Sequence, residues 1–563
     1  MMKTWTVLLA VTATVATLTL SEKAHALVDM NNAGYSNTWT DLEVPGTGYD
    51  MRVLRAYKSR TIYNGLFGFG WCSEFETKLE TTPEGNLKIS ECGDGQEIVY
   101  STRELTKKDV EGSIKQIITK MRADKKFSSN TSDYWKNIES QLYDDSELRS
   151  QYARQFGIIV PVKDGTKYMA NAKEVENVIL NKGVYTRTLP DGSMQRFDGA
   201  GRLTHMYDKN GNYLKFDYQK DLLTEITDNN SRKLAFKYFP NKKVQRITGP
   251  NGLMTEYKYN QQEDLIWNRN AWAKKETDVY TYDYNEFHNL TKANWPDKTT
   301  ISIKYDNVKD WVLSFTDRDK CIESYKYEFS ASNPKFNYWS TATKVCGKQT
   351  LATNRYEFWH KQLPNGQVVL SRLLTNVNGS IRDITYHDTF GKPVTIKINS
   401  DRIDFEYFAD GLPKTKTTAS AKLEYTYDNT IKRVATVKTS FVNEKGKANV
   451  IRTTAFKYDG KGNLTYAENS DGQKINMTYD LKGRIQSITD QAKKIVKIDY
   501  EERFGKPQTV TRPGLGSIKV SYKPNGDIAK VDSVDGPAVA SQVASTFNNL
   551  LDVISPATQE LYL

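Results

Sequence analysis

Four cysteines, five histidines, a full complement of carboxylates and many aromatic rings are the groups from which any chemistry of this 563-residue chain would have to come. The cysteines form two sequence-local pairs, Cys72 with Cys92 and Cys321 with Cys346. There is no CxxC, and His205, His288, His360 and His387 are scattered, so neither a zinc site nor another metal centre is expected. In an oxidising compartment four cysteines allow three connectivities, and the two local disulfides are the expected one. No HExxH, GxSxG, phosphate-cradling glycine loop or EF-hand loop occurs. Asp and Glu fall at turns and on polar strand positions throughout, which gives no indication of a glycosidase pair. The chain is therefore expected to be no enzyme, with no catalytic residue and no cofactor. Trp267 and Trp272, in IWNRNAWAKKE, are candidate glycan-binding rings, because exposed indoles stack on sugars.

The elements that would carry these rings are written in a repeat. From about residue 185 to 530 a pattern recurs of turn, strand ending in Tyr or Phe, turn, strand, as in LPDGSMQRFDGAGRLTHMYD and NSDGQKINMTYDLKGRIQSITD. Its aromatic anchors are Phe197, Tyr218, Tyr238, Tyr259, Tyr284, Tyr305 and Tyr327, then Tyr386, Tyr407, Tyr427, Tyr458, Tyr479, Tyr500 and Tyr522, with most steps 20 to 22 residues. Two strands of about six residues and two tight turns use that length, so each repeat predicts a β-hairpin. Ile475, Met477 and Tyr479 alternate onto one face, as do Ile518, Val520 and Tyr522. Gly201, Gly462 and Gly483 suit positive φ, while Asp191, Asp471 and Asn251 suit side-chain caps of turn amides. His387 stands where other repeats carry Asp and predicts a turn residue. The interval from Tyr327 to Tyr386 breaks the rhythm and holds Trp339, Cys346, Tyr356 and Trp359.

The pairs Tyr305-Asp306, Tyr427-Asp428, Tyr458-Asp459 and Tyr479-Asp480, with Gly-Arg-Leu at 201–203 and Ile-Thr-Asp at 226–228 and 488–490, resemble the YD repeats of bacterial Rhs proteins and animal teneurins. Upstream, Arg55, Tyr57 and Ser59, followed by Gly65, Phe67, Gly68, Gly70 and Trp71, resemble the segment that opens Rhs proteins. The resemblance implies a mainly β fold in which tandem hairpins form a long coiled sheet or a partial hollow shell. The Rhs core segment rich in Asn-Pro and Asp-Pro-x-Gly, and the toxin after it, are not found after Tyr522.

Five regions follow. Residues 1–26, with Lys3, an apolar run and Ala24-His25-Ala26, read as a signal peptide, which places the chain in the periplasm, on the outer surface or outside the cell. Residues 27–102 are the opening β segment. Residues 103–183 are a mainly helical insertion: Val110 to Met121, Trp135 to Leu142 and Leu148 to Phe156 keep helical spacing, and a fourth helix is predicted from an Asn171 cap to a Gly183 stop. Residues 184–530 are the repeats. Residues 531–563 carry a helical cap, with Val539, Val543, Phe547, Leu550, Leu551 and Ile554 on one face.

The net charge of +11 is spread along the chain, not gathered into the stripe a nucleic-acid binder needs. No later apolar run spans a membrane. The expected partners are a cell-surface glycan or an envelope protein, in a structural, adhesive or surface-binding role. The alternative is a reduced Rhs-type shell that encloses or docks a small toxin encoded separately.

Overall fold

Period-two alternation of apolar and polar residues runs through nearly every strand, and it produces one very long antiparallel sheet. The computed structural model describes residues 27–61, 63–92, 97–103, 106–127, 131–158, 160–170, 175–363, 367–442, 448–523, 526–534 and 536–558. The expected signal peptide lies outside the described residues. Thirty-six strands, from Lys78–Thr81 to Ile528–Val534, pair each with its neighbour in the chain. The sheet is open: its first strand meets a later turn only through a bridge between Lys78 and Arg202, and among the described residues no register joins it to the last strand.

The sheet is coiled. Turns of early repeats abut turns of repeats some 250 residues later: Lys209 Nζ donates to the Gly462 carbonyl at 3.0 Å, Asn212 Nδ2 to the Lys482 carbonyl at 3.0 Å, and Arg503 to Asn251 Oδ1 at 3.0 Å. Glycine permits a close approach both here and where the first strand meets the turn at Gly201. A Cβ on Gly483 (φ +82°) would lie 2.0 Å from Asn210 Nδ2, and one on Gly201 (φ +77°) 1.8 Å from the Leu79 carbonyl oxygen.

The two ends of the chain cover the sheet's apolar face. Strands Leu27–Val28, Tyr35–Val44, Met51–Lys58 and Trp71–Cys72 form a separate, small four-stranded sheet. Its Tyr35, Leu42, Val53 and Trp71, with Phe67 from the neighbouring hairpin turn, are buried in one core with Ile226, Ile247, Tyr257, Tyr282 and Ile301 of the large sheet. At the other end, the helix Gly536–Thr558 lies across the strands from Val434–Val442 to Gly516–Tyr522, burying Val539, Val543, Phe547, Leu550 and Val553 against Ile475, Ile488, Ile498 and Val520. Leu551, expected on that buried face, is 43% exposed, and Val553 takes the inward place.

Helices α1 (Lys107–Ala123), α2 (Ser132–Asp144) and α3 (Ser146–Gln155) leave the large sheet between two strands that pair with each other, Glu97–Ser101 and Lys167–Ala170. They share their own core of Val110, Ile114, Ile117, Met121, Trp135, Ile138 and Leu142. Ion pairs join them to the sheet, with Arg149 to Glu84 at 2.9 Å buried on both sides and Lys88 to Glu147 at 2.5 Å. Gly536–Thr558 is hence α4. The fourth helix predicted over 171–183 is a correction: Asn171 to Glu174 lie outside the described residues, and Asn177–Asn181 is a strand. Val178 and Leu180 are buried two apart, and Lys182 (φ 50°) with Gly183 (φ 78°) makes the two-residue turn into Val184–Thr188. Positive φ at both positions is the mark of a type I′ hairpin, so Gly183 turns a hairpin instead of ending a helix.

Candidate functional site

The repeat aromatics form a ladder. A register shift immediately precedes every anchor except Tyr327, so Tyr218 opposes Leu223, Tyr305 opposes Val312 and Tyr479 opposes Ile485 at a β-bulge. The bulge frees a carbonyl, and the tyrosine of the following repeat donates its hydroxyl to it: Tyr218 to Leu203 at 2.9 Å, Tyr305 to Leu290 at 3.0 Å, Tyr479 to Leu464 at 2.7 Å, Tyr500 to Ile485 at 2.9 Å. Tyr238, Tyr259, Tyr284, Tyr327, Tyr407, Tyr427, Tyr458 and Tyr522 do the same. Burial pushes the Tyr407 and Tyr458 phenols up to about 12, so they remain donors. Phe197 opens the ladder without a hydroxyl, and Tyr386 sits at the bulge opposite Pro393.

Where Asp follows the anchor, at Asp198, Asp306, Asp428, Asp459 and Asp480, its carboxylate closes the turn. Asp480 Oδ1 accepts the amides of Lys482 and Arg484, and Asp459 those of Lys461 and Asn463. Asp191 accepts Ser193 N as expected, but Asn469 holds the place assigned to Asp471, whose carboxylate pairs with Arg452. The Asn251 side chain reaches Arg503. His387 substitutes for the carboxylate, its Nδ1 accepting from Thr389 and Phe390 N at 3.2 and 3.4 Å.

The motif of the opening segment is a docking device. Arg55 is fully buried, bonded to Asp41 and, at 3.2 Å, to Asn268 Oδ1 of the large sheet, while its guanidinium lies 4.4 Å from the Trp71 ring. Tyr257 donates to Asp41 at 2.7 Å. Tyr57 Oη accepts from Leu290 N at 2.8 Å and donates to the His288 carbonyl at 3.1 Å, and Trp71 Nε1 donates to Tyr284 Oη at 2.8 Å. Ser59 Oγ accepts from Tyr35 N. Asp41, Asn268, Tyr257 and Tyr282 were not singled out from sequence, because a buried charge cluster assembled across more than 200 residues leaves no local spacing.

Both disulfides form as paired by locality, Cys72–Cys92 and Cys321–Cys346. The first ties the small sheet to the opening hairpin of the large one; the second closes the base of the hairpin Ile322–Phe329 with Asn337–Cys346. The Lys258 ammonium lies 4.4 Å from the Trp267 ring, while Trp272 is 48% exposed in a turn. Arg355 on Trp339 and Arg372 on Trp359 repeat the Lys258 arrangement at 4.5 Å each, so several outward indoles already carry a cation.

Two concavities stand out among the described residues. An outward groove of about 570 Å³ carries His288 and Asp264, paired at 2.7 Å. Tyr282, Asp283, Tyr284, Asn285 and Glu286 line it beside the pair. The His288 ring stacks on Phe69 at 3.8 Å, and its φ of 64° places it in the turn position glycine holds elsewhere, so its contacts fasten the small sheet. The second concavity, a partly open groove of about 620 Å³, lies between α4 and the late repeats. Phe405, Phe456, Met477, Leu550 and Ile554 and the ladder residues Tyr407, Tyr427, Tyr458 and Tyr479 line it, with Lys209, Lys392, Lys432 and Arg433 at the turns. Among the described residues no group of three or more His, Cys, Asp or Glu is placed to hold a metal ion.

A family model described as a domain of unknown function (DUF6531) matches residues 27–100, which comprise the small sheet and the first three strands of the large one. No curated protein matches the chain. Among solved structures, the crystal structure of TcdB2-TccC3-TEV is 12% identical, with 93% of this chain and 28% of that chain covered and a TM-score of 0.43. TcdB2-TccC3 without its hypervariable C-terminal region gives 12%, 94%, 29% and 0.42. A Photorhabdus luminescens Tc holotoxin pore gives 11%, 90%, 29% and 0.30. The chain spans less than a third of the length of these solved chains.

Proposed function

We propose that the chain is an exported, non-enzymatic YD-repeat shell of the Rhs type, with a structural, adhesive or surface-binding role in the cell envelope. The observation that carries this reading is the use of the sheet's apolar face. The chain's own N-terminal sheet and α4 occupy it, which is the arrangement of a self-filled scaffold. The two concavities described above, of about 570 and 620 Å³, fall within the range of small-molecule sites. Two disulfides support a location outside the reducing cytosol. No helix among the described residues is long and apolar enough to cross a membrane. An envelope protein or a surface glycan remains the partner class of this reading, with Trp272 the more exposed of the two candidate rings.

The toxin-carrier alternative requires the small sheet or α4 to give up its place to cargo. Purification of the mature chain from its host envelope, protease treatment and mass spectrometry separate the two. An empty, monomeric particle is the expected result; a protected second polypeptide contradicts it.

A further inference from the structure

Where the opening segment meets the large sheet, an amine, a carboxamide and a carboxylate are in mutual contact. Asn64 belongs to the hairpin of Asn64–Gly65 with Gly68–Phe69, and Lys243 immediately precedes the large-sheet strand Val244–Thr248. Lys243 Nζ donates to Asn64 Oδ1 at 2.5 Å and to the Gly65 carbonyl at 2.9 Å. Asn64 Nδ2 donates to Glu263 Oε2 at 2.7 Å, and that oxygen stands 3.4 Å from Lys243 Nζ. The surroundings fix all three groups: Val244 N donates to the Leu66 carbonyl at 3.0 Å and Asn241 Nδ2 to Glu263 Oε1 at 3.3 Å. A Cβ on Gly68 (φ +91°) would lie 2.3 Å from the Glu263 carbonyl oxygen, so glycine is what lets the hairpin sit this close to the turn. The Lys243 side chain is 8% exposed, which keeps competing water away from the amine.

We infer that Lys243 and Asn64 become joined by an isopeptide bond, which the chain forms on itself with Glu263 as the proton carrier. With a C=O bond of about 1.23 Å, Asn64 Cγ lies within about 3.7 Å of Nζ, close to the separation from which oriented groups react. Asn64's hydrogen bond, with the Lys243 charge beside it, holds the Glu263 carboxyl below its ordinary value of 4.5, so it starts as a carboxylate. It takes one proton from the Lys243 ammonium, and the freed lone pair forms the Nζ–Cγ bond. Glu263 passes that proton to Nδ2, the Cγ–Nδ2 bond breaks with its electron pair on nitrogen, and ammonia leaves. The second proton shed by Nζ goes through Glu263 to solvent. The new amide keeps one proton, and no oxidant or reductant is needed. The reaction occurs once per chain, so it requires orientation and not turnover, and fixed orientation is worth effective concentrations of about 10⁵ M or more. The bond spans 179 positions of sequence and holds the opening segment permanently on the face it fills. This inference goes beyond the surface role proposed above and does not depend on it.

The test is mass spectrometry of the full mature chain with its disulfides reduced. The expected intact mass is one ammonia below that of the mature sequence, and trypsin is expected to release a branched peptide joining residues 61–78 to residues 243–246. Lys243→Arg is expected to abolish the branch, and Glu263→Gln, which keeps an acceptor for Asn64 but carries no proton, to lower its yield below about a tenth. A mass equal to that of the mature sequence overturns the bond. So does loss of one ammonia without a branch, which is ring closure of Asn64 onto the Gly65 amide. The native chain decides the bond without any variant, and an unchanged branch yield in Glu263→Gln overturns the role of Glu263. Should Glu263→Gln fail to fold, Glu263→Asp, which keeps the charge but shortens the reach, must lower the yield instead; an unchanged yield overturns that role as well.

Discussion

Twelve tyrosine hydroxyls, each bonded to a carbonyl freed by the preceding bulge, explain why the repeat is written with Tyr and not Phe. Tyr479→Phe removes one such bond and strands the Leu464 carbonyl, so a loss of about 1 to 2 kcal/mol is expected in chemical denaturation. Tyr479→Ala, which also opens a cavity, is expected to cost about 3 to 5 kcal/mol. The following Asp sets an acid limit. Backbone amides of Lys309 and Val308 hold the Asp306 carboxyl below its ordinary value of 3.8, and those of Ile431 and Thr430 do the same for Asp428. A depressed folded-state pKa contributes stability that is present above about pH 4 and lost as pH falls through the folded value. A melting curve series from pH 6 to pH 2 is therefore expected to fall steeply only below about pH 4, and less so in an Asp306→Asn, Asp428→Asn chain. At this scale the sequence was legible where the interaction is local: the anchors, the Asp caps and the turn role of His387 follow from spacing. Asp471 and Asn251 went astray because several turn residues sit within bonding reach and only the actual φ values choose among them.

Elements with one strong period were readable, and those with two competing signals were not. Val110, Ile114, Ile117 and Met121 repeat at helical spacing over a full α1, and nothing at period two contests them. Over 171–183 the residues Val175, Val178 and Ile179 also fit a helix, yet the pairing of Asn177–Asn181 with strands on both sides decided for β structure. Tertiary pairing overrides a weak local preference. The small sheet illustrates what spacing cannot show: its Arg55 requires Asp41 and Asn268 at once. Asp41→Ala leaves a buried, uncompensated guanidinium, and an expected loss of about 3 to 5 kcal/mol follows, whereas Asp41→Leu with Arg55→Met is expected to cost less than Asp41→Ala. Denaturation of the three chains under one buffer checks the order. Replacing Cys321 and Cys346 by Ala opens a loop across an already paired hairpin, with an expected cost of about 2 to 4 kcal/mol, read in the same experiment.

For the whole molecule, the hairpin repeat predicted a long coiled sheet, and the open coil of 36 strands is that architecture. Where the coil turns meet, and what fills it, depended on contacts such as Asn212 with Lys482 and Leu234 with the small sheet, which no repeat copy encodes alone. The last strand, Ile528–Val534, leaves an edge, and Lys530 paired with Asp532 puts charge there, a common guard against strand addition. A scaffold filled by its own ends makes one distinct demand: the filling must be as stable as the wall. Hydrogen exchange followed by mass spectrometry on the full mature chain measures this directly. Strands Tyr35–Val44 and Met51–Lys58 and helix α4 are expected to exchange as slowly as the central repeat strands Thr300–Tyr305 and Lys474–Tyr479. Rapid exchange of the small sheet and α4 beside a protected large sheet would contradict a self-filled shell and point to an interior that the chain leaves open.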